Sequence, residues 1–169
     1  MRTLGILLLV ALSTADMGAA EHLSGKPRII DGDTIEVSGT RIRLEGIDAP
    51  ERGQECSDRL QQPYDCGAAA VRTLVDLTKG QTVNCEATGE DRYGRALAIC
   101  RLPSGLDLNA ELVRLGRVVA FRRYSDRYIV EEDEARRAGA GLSAGTFEHP
   151  GCWRAQLRGD ECQDELPSN

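Results

Sequence analysis

Two cysteines constrain the fold of this chain more than any other feature. Cys85 and Cys100 stand at equal distances on either side of the turn sequence DRYG, residues 91–94. The flanking segments QTVNCEATG and RALAICRL mix apolar and polar residues in the way that is typical of strands with one buried face. Residues equidistant from a turn face each other across a hairpin, where a disulfide can join them. The sequence therefore predicts a β-hairpin that is closed by a Cys85–Cys100 disulfide.

The remaining cysteines extend this disulfide framework. The chain has six cysteines, and an even number favours disulfides in an exported protein. Six cysteines allow fifteen connectivities, and closeness in sequence favours Cys56 with Cys66 and Cys152 with Cys162. A zinc site is disfavoured, because the chain has no CxxC pair and its two histidines stand alone.

Residues 1–20 have the pattern of a secretory signal peptide. Arg2 precedes an apolar run from Leu4 to Leu12, and small residues follow. This run is too short to span a bilayer. Cleavage after Ala20 would remove one arginine and one aspartate, so the mature chain keeps the formal net charge of −6. We therefore expect a bacterial protein that is secreted or periplasmic and has no membrane association after signal cleavage.

The rest of the chain is long enough for one globular domain. The whole chain has 169 residues, 41% of them hydrophobic, which suits a single core. We place this domain at residues 21–142. Residues 143–169 contain glycine, proline and two cysteines, and they predict an irregular, disulfide-stapled C-terminal tail.

The order of strand and helix patterns indicates the fold class. Strands are predicted in RIIDGDTIEV and TRIRLEGI, on either side of the turn Ser38-Gly39, and again in RVVAFRRY. Helices are predicted before Gly80, in DLNAELVRLG and over about residues 126–140. The first of these helices is expected to bury the face formed by Ala68, Val71, Leu74, Val75 and Thr78. This order favours the α+β class, with a five-stranded OB-fold β-barrel and about three helices.

The segment RLEGIDAPE, residues 43–51, gathers charges where a predicted strand ends. Alternation along the strand points Ile42 and Leu44 inward, so Arg43 projects from the opposite face. Asp48 and Glu51 follow the strand, and Pro50 restricts the backbone between them. Catalytic groups often lie at strand ends of this kind.

Two further segments add charges of the same kind. DGDT, residues 31–34, supplies Asp33, which could share a hard divalent cation with Asp48 through carboxylate oxygens. An Asp-Gly pair is by itself usually only a turn. Arg95, in DRYGR, is a second arginine, and two guanidinium groups can hold the non-bridging oxygens of a phosphodiester.

Four motifs, DGDTIEV, RLEGIDAPE, DRYGRALA and LNAELVRLG, occur in this order and resemble the staphylococcal-type nuclease (thermonuclease) family over roughly residues 27–142. The resemblance implies an OB-fold barrel with three helices and a calcium-dependent nuclease that hydrolyses DNA and RNA to 3'-phosphate products. It implies Ca²⁺ as the cofactor, with Asp33 and Asp48 as its ligands. It makes Arg43 and Arg95 the phosphate-binding arginines and Glu51 the catalytic carboxylate, which acts as general base or orients the water. Asp31 is expected to orient the metal site from behind.

The chain also departs from the family. Ala49 stands where the family often has threonine, a change that a backbone carbonyl ligand would survive and a hydroxyl contact would not. Phe121 and Tyr124 are candidates for the nucleotide-stacking tyrosines, with their register open. Tyr93 is a candidate for substrate contact or for turn packing.

The negative net charge limits how the protein can bind nucleic acid. An acidic chain repels polyanions at long range, so phosphate contacts must come from local arginines and calcium.

Two other functional classes remain open. One is an inactive nuclease-like module that binds nucleic acid or a protein, and the other is a disulfide-stapled extracellular binding barrel. The five-residue constellation favours a monomeric hydrolase that acts on single-stranded DNA and RNA.

Overall fold

The computed structural model describes residues 21–162, so the predicted signal peptide lies outside the described residues. The strands are β1 (His22–Gly25), β2 (Arg28–Ile29), β3 (Thr34–Val37), β4 (Thr40–Leu44), β5 (Ile47–Asp48), β6 (Glu55–Ser57), β7 (Pro63–Asp65), β8 (Val83–Glu90), β9 (Ala96–Arg101) and β10 (Val119–Ala120). The helices are α1 (Cys66–Thr78), α2 (Leu108–Arg114), α3 (Ile129–Ala138) and α4 (Pro150–Arg158), with a 3₁₀ turn at Gly141–Ala144.

One curled sheet of six strands forms the centre of the fold, in the order β1-β8-β9-β4-β3-β2. The hairpins β3–β4 and β8–β9 are antiparallel, and β4 pairs with β9 in parallel. Two short pairs, β5–β10 and β6–β7, lie outside this sheet. Both predicted hairpins and the α+β class are confirmed.

All three predicted disulfides are present. Cys85 and Cys100 are direct partners in the register of the β8–β9 hairpin, as their symmetry about DRYG predicts. The other two bridges are Cys56–Cys66, which joins β6 to the start of α1, and Cys152–Cys162, which begins within α4. The described residues include no free cysteine.

Helix α1 buries a different face from the predicted one. Leu74 and Thr78 are buried as expected, but Val75 is 44% exposed. The buried face includes Gly67 and Ala70, because the helix approaches the neighbouring backbone too closely for larger side chains. Hydrophobic periodicity does not register a contact made through glycine and alanine.

The predicted tail contains helix α4 at Pro150–Arg158 and is not irregular throughout, so residues 21–162 form four α-helices rather than three. Pro150 is at the first turn of α4, the His149 ring accepts a hydrogen bond from the N–H of Gly151, and Gly159 ends the helix with φ 75°. A bridge between Ser57 and Thr146 joins the preceding segment to β6. The tail is thus packed against the loop that follows β5.

The predicted strand RVVAFRRY is also shorter than expected. Only Val119–Ala120 pairs, with β5, and the chain then turns so that the N–H of Tyr124 bonds to the carbonyl of Phe121. Across residues 21–162, no helix is long and apolar enough to cross a membrane.

Candidate active site

Three strands bring the first predicted site residues together. Arg43 lies on β4 opposite Thr34 of β3, and the N–H of Leu44 donates to the carbonyl of Asp33 at 2.8 Å. Asp48 ends β5, directly after the turn at Gly46. The strand register therefore places two aspartates on either side of one arginine.

The Arg43 guanidinium bridges these two carboxylates. Its Nη1 lies 2.8 Å from Asp33 Oδ2, and its Nη2 lies 2.8 Å from Asp48 Oδ1. Both aspartates are buried, with Asp48 completely inaccessible to solvent. Burial alone would lower the pKa of Arg43, but the two carboxylates raise it above its usual value. Arg43 is therefore a permanently charged group in the wall of the site.

Further contacts fix the Asp33 carboxylate. The hydroxyl of Thr34 donates to Oδ1 at 2.9 Å, and the N–H of Ala49 donates to Oδ2 at 3.1 Å. Gly32 permits this arrangement, because a Cβ at that position would lie 2.7 Å from the Cβ of Ala49. Ala49, the departure from the family pattern, thus orients Asp33 through its backbone.

Glu51 lies in the loop after β5, and its backbone is tightly held. Its N–H donates to Oε1 of the buried Gln54 at 3.0 Å, and Gln54 Nε2 donates to the carbonyl of Glu148 at 2.7 Å. Gly67 of α1 packs directly on the Glu51 carbonyl, where an added Cβ would lie only 2.0 Å from the oxygen. The Glu51 side chain remains 33% exposed. The backbone of Glu51 is thus fixed, while its side chain is partly accessible to solvent.

A residue that no sequence motif indicated connects Glu51 to Asp48. Arg154 of α4 donates from Nη1 to Glu51 Oε1 at 2.9 Å and from Nη2 to Asp48 Oδ2 at 2.7 Å. Burial alone would lower the pKa of Arg154, but its bonds to Asp48 and Glu51 raise it well above the usual value. The Pro150-to-Gly159 pattern could have indicated a helix, but no local signal places this arginine beside Glu51.

Arg95 approaches the group from the β8–β9 turn. It forms an ion pair with Asp91, with Nη2 to Oδ2 at 2.6 Å, and its Nη1 donates to the hydroxyl of Thr34 at 3.4 Å. Since Thr34 itself bonds to Asp33, Arg95 reaches the carboxylates through that hydroxyl. The structure therefore places Arg95 at the edge of the site rather than in direct contact with Asp33.

Asp31 lies in the turn before β3, close enough to Asp33 and Glu51 to feel their charges. Its pKa is raised, first by burial and then by the nearby negative charges of Asp33 and Glu51. Its Oδ1 accepts from the N–H of Gly32 at 2.9 Å, which shapes the turn before β3.

Three aromatic side chains flank the arginines. The Phe121 ring lies 5.8 Å from the Arg43 guanidinium and 4.7 Å from the Tyr124 ring, centre to centre. The Tyr93 ring lies 5.6 Å from the Arg95 guanidinium and is 69% exposed. Flat apolar surfaces thus stand on two sides of the charged group.

The donor types limit what metal the site could hold. Within the described part of the chain, no three His, Cys, Asp or Glu side chains are arranged to hold an ion. Asp33 and Asp48 nevertheless converge on one guanidinium, and their donors are hard oxygens. A divalent cation of the calcium or magnesium type would need further ligands from backbone, water or substrate.

Comparison with known proteins identifies the family of this chain. The sequence model of the family described as "Staphylococcal nuclease homologue" matches residues 41–143. A "Succinoglycan biosynthesis protein ExoI" of Rhizobium meliloti (strain 1021) is 38% identical over 159 residues, which cover 92% of this chain and 77% of that protein. A "Micrococcal nuclease" of Shigella flexneri is 38% identical over 144 residues, 75% of this chain and 77% of that protein. An "Uncharacterized endonuclease" of Escherichia coli O157:H7 is 36% identical over 121 residues, 68% of this chain and 72% of that protein.

These matches confirm the resemblance and the OB-fold that it implies. Two of these relatives are named as nucleases, which supports a hydrolytic nuclease. The family match ends at residue 143, so helix α4 and its Arg154 lie beyond it. The chain belongs to the staphylococcal nuclease family.

Proposed function

We propose that the protein is a calcium-dependent nuclease that hydrolyses phosphodiester bonds of DNA or RNA and leaves 3'-phosphate ends. The observation that supports this most is the Arg43 guanidinium between the buried carboxylates of Asp33 and Asp48. Glu51 is joined to Asp48 through Arg154. A phosphodiesterase needs a positively charged group to bind phosphate, hard oxygen ligands for a cation and a solvent-accessible carboxylate.

Calcium fits the two aspartates by donor chemistry. One cation, the Arg43 guanidinium, already draws Asp33 and Asp48 to a common point, and both present only oxygen. When bound there, Ca²⁺ would act as a Lewis acid on a phosphate oxygen of the substrate. Asp31, in the turn before β3, would keep the local field negative.

Each remaining side chain has a role that its position allows. Glu51, fixed at its backbone and partly exposed in its side chain, would orient a water molecule and accept its proton as the water attacks phosphorus. Arg43 would donate a hydrogen bond to a non-bridging oxygen, where negative charge increases during attack. Arg95, at the edge, would donate a hydrogen bond to the departing 5' oxygen as its bond to phosphorus breaks, and that oxygen would take a proton from solvent. The phosphate would then stay on the 3' oxygen.

The surroundings suit a flexible single strand. Phe121 and Tyr124 beside Arg43, and Tyr93 beside Arg95, offer faces on which bases could stack. The formal charge of −6 would repel a polyanion at distance, so binding would depend on local contacts of the arginines and calcium with phosphate. Salt weakens those attractive contacts, so we expect the cleavage rate to fall as salt rises.

The three disulfides support an oxidising location. We accordingly propose secretion or residence in the periplasm, as a monomer. The division into residues 21–142 and a tail of residues 143–169 stays a prediction.

The test is cleavage of single-stranded DNA and RNA by the oxidised mature protein, with Ca²⁺ or with EGTA. The proposal predicts cleavage only with calcium, and a loss of at least about 100-fold in kcat for Glu51→Gln. Glu55→Gln, which removes an exposed carboxylate on β6, is the matched control and should cut at the wild-type rate. Strong cutting in EGTA would contradict the calcium mechanism. An intact fold that cuts under no ion would instead support an inactive binding module.

A further inference from the structure

The Asp48 carboxylate is shared between two arginines. Oδ1 accepts from Arg43 and Oδ2 accepts from Arg154, each contact within 2.8 Å. Asp48 is completely buried, whereas the Arg154 side chain is 30% exposed. Arg43 belongs to β4, inside the family match, but Arg154 belongs to the C-terminal helix beyond it. The carboxylate of Asp48 therefore has two cationic partners, one from the sheet and one from the C-terminal helix.

Helix α4 is held in place, so Arg154 is not a loose surface side chain. Cys152 and Ala155, on either side of it in sequence, are buried. The segment before the helix is joined to the Glu51 loop through the bond from Gln54 to the carbonyl of Glu148. The same Gln54 bonds to the N–H of Glu51, so one side chain fixes the distance between loop and helix.

We propose that Arg154 is a further positioning residue of this active site, which holds Glu51 in place and would compete with Ca²⁺ for Oδ2 of Asp48. The inference rests on the proposed calcium-dependent function. The guanidinium spans both carboxylates. A cation that takes Oδ2 of Asp48 would leave Arg154 its bond to Glu51.

Removal of the Arg154 charge should strengthen calcium binding but slow turnover. A positive charge next to Asp48 repels a divalent cation and competes for its oxygen, so removing that charge strengthens calcium binding. The same removal frees the Glu51 side chain, so its carboxylate samples more rotamers and turnover slows. A residue that merely supported the fold would weaken calcium binding and slow turnover together.

The experiment is calorimetric titration of CaCl₂ into the oxidised mature protein, with cleavage measured separately at saturating calcium. For Arg154→Gln we expect a Kd for Ca²⁺ about tenfold lower than wild type, because the pair is partly solvent-screened. We expect kcat about 10-fold to 100-fold lower, the range for residues that orient site ligands. Arg154→Lys keeps the charge but not the fork, so its Kd should stay near wild type while kcat falls.

Arg158→Gln is the matched control, because it removes the same charge from the same helix, where Arg158 pairs only with the nearby Asp160 among its described contacts. The Kd for Ca²⁺ and the kcat of Arg158→Gln should both match wild type. Circular dichroism and thermal unfolding establish that α4 persists in each variant.

Three results would overturn the inference. Equal or weaker calcium binding by Arg154→Gln would exclude competition at Asp48, with the nuclease proposal left standing if the wild type cuts with calcium. Unchanged kcat would exclude the positioning of Glu51. An absence of calcium binding in both wild type and variant would overturn the inference together with the calcium cofactor.

Discussion

Helix α1 packs on the backbone of the Glu51 loop at Gly67, and this contact gives a quantitative prediction. A Cβ on Gly67 would lie 2.0 Å from the Glu51 carbonyl oxygen and 2.4 Å from its carbon. Since real Cβ contacts do not fall below 3.0 Å, Gly67→Ala must separate helix and loop by about 1 Å. Both partners are backbone, so no side-chain rotation relieves the contact. Misplacement of about 1 Å at a reacting group costs about 100-fold in rate.

Gly67→Ala is therefore expected to lower kcat about 100-fold on single-stranded DNA with saturating calcium. Helix propensity alone would make the variant helix more stable, because alanine favours a helix by about 1 kcal/mol over glycine. A loss of rate would therefore come from the contact and not from a weaker helix. The control is Gly89→Ala on β8, where an added Cβ meets nothing within 4 Å. Initial rates and circular dichroism compare the two variants. A Gly67→Ala protein that is folded and cuts at the wild-type rate would refute the reasoning.

Other substitutions test the site and its supports. Gln54→Leu removes the partners of two backbone groups and should lower the free energy of unfolding in urea by about 2–4 kcal/mol, and a value equal to wild type would contradict this. Arg43→Lys cannot bridge two carboxylates and should lower kcat/KM at least about 100-fold in the cleavage assay, whereas rates near wild type would exclude Arg43 from the chemistry. Burial alone would raise the pKa of Asp91, but hydrogen bonds from Arg95 and the N–H of Tyr93 hold it below its usual value. Its stabilising effect is thus present above its unfolded pKa, about 3.9, and is lost as the pH falls through the lower folded pKa. Asp91→Asn should therefore lower Tm at about pH 7 and match wild type near pH 2, and a difference in Tm that persists at the acid end would contradict the assignment.

The hairpins and disulfides could be predicted because they depend on short-range patterns. Cys85 and Cys100 face each other through the local geometry of one turn, and Cys56 and Cys66 are only 10 residues apart. Strand alternation also placed Arg43 on the face away from the core side chain of Ile42. These features require no knowledge of distant packing.

Features that depend on tertiary contacts could not be predicted in the same way. The buried face of α1 includes Gly67, which contributes no hydrophobic signal, so the prediction wrongly buries Val75. Arg154 and Glu51 are 103 residues apart, and only the packing of α4 on the Glu51 loop brings them together. The catalytic roles of the site residues stay predictions until they are measured.

The most direct test of the nuclease proposal is the chemistry of the product ends. A defined single-stranded oligonucleotide, cut by the oxidised mature protein with calcium, would be analysed by mass spectrometry. Attack of water on phosphorus with departure of the 5' oxygen predicts fragments with a 3'-phosphate and a 5'-hydroxyl. Fragments with a 5'-phosphate, or an uncut oligonucleotide in the presence of folded protein and calcium, would contradict the roles given to Glu51, Arg43 and Arg95.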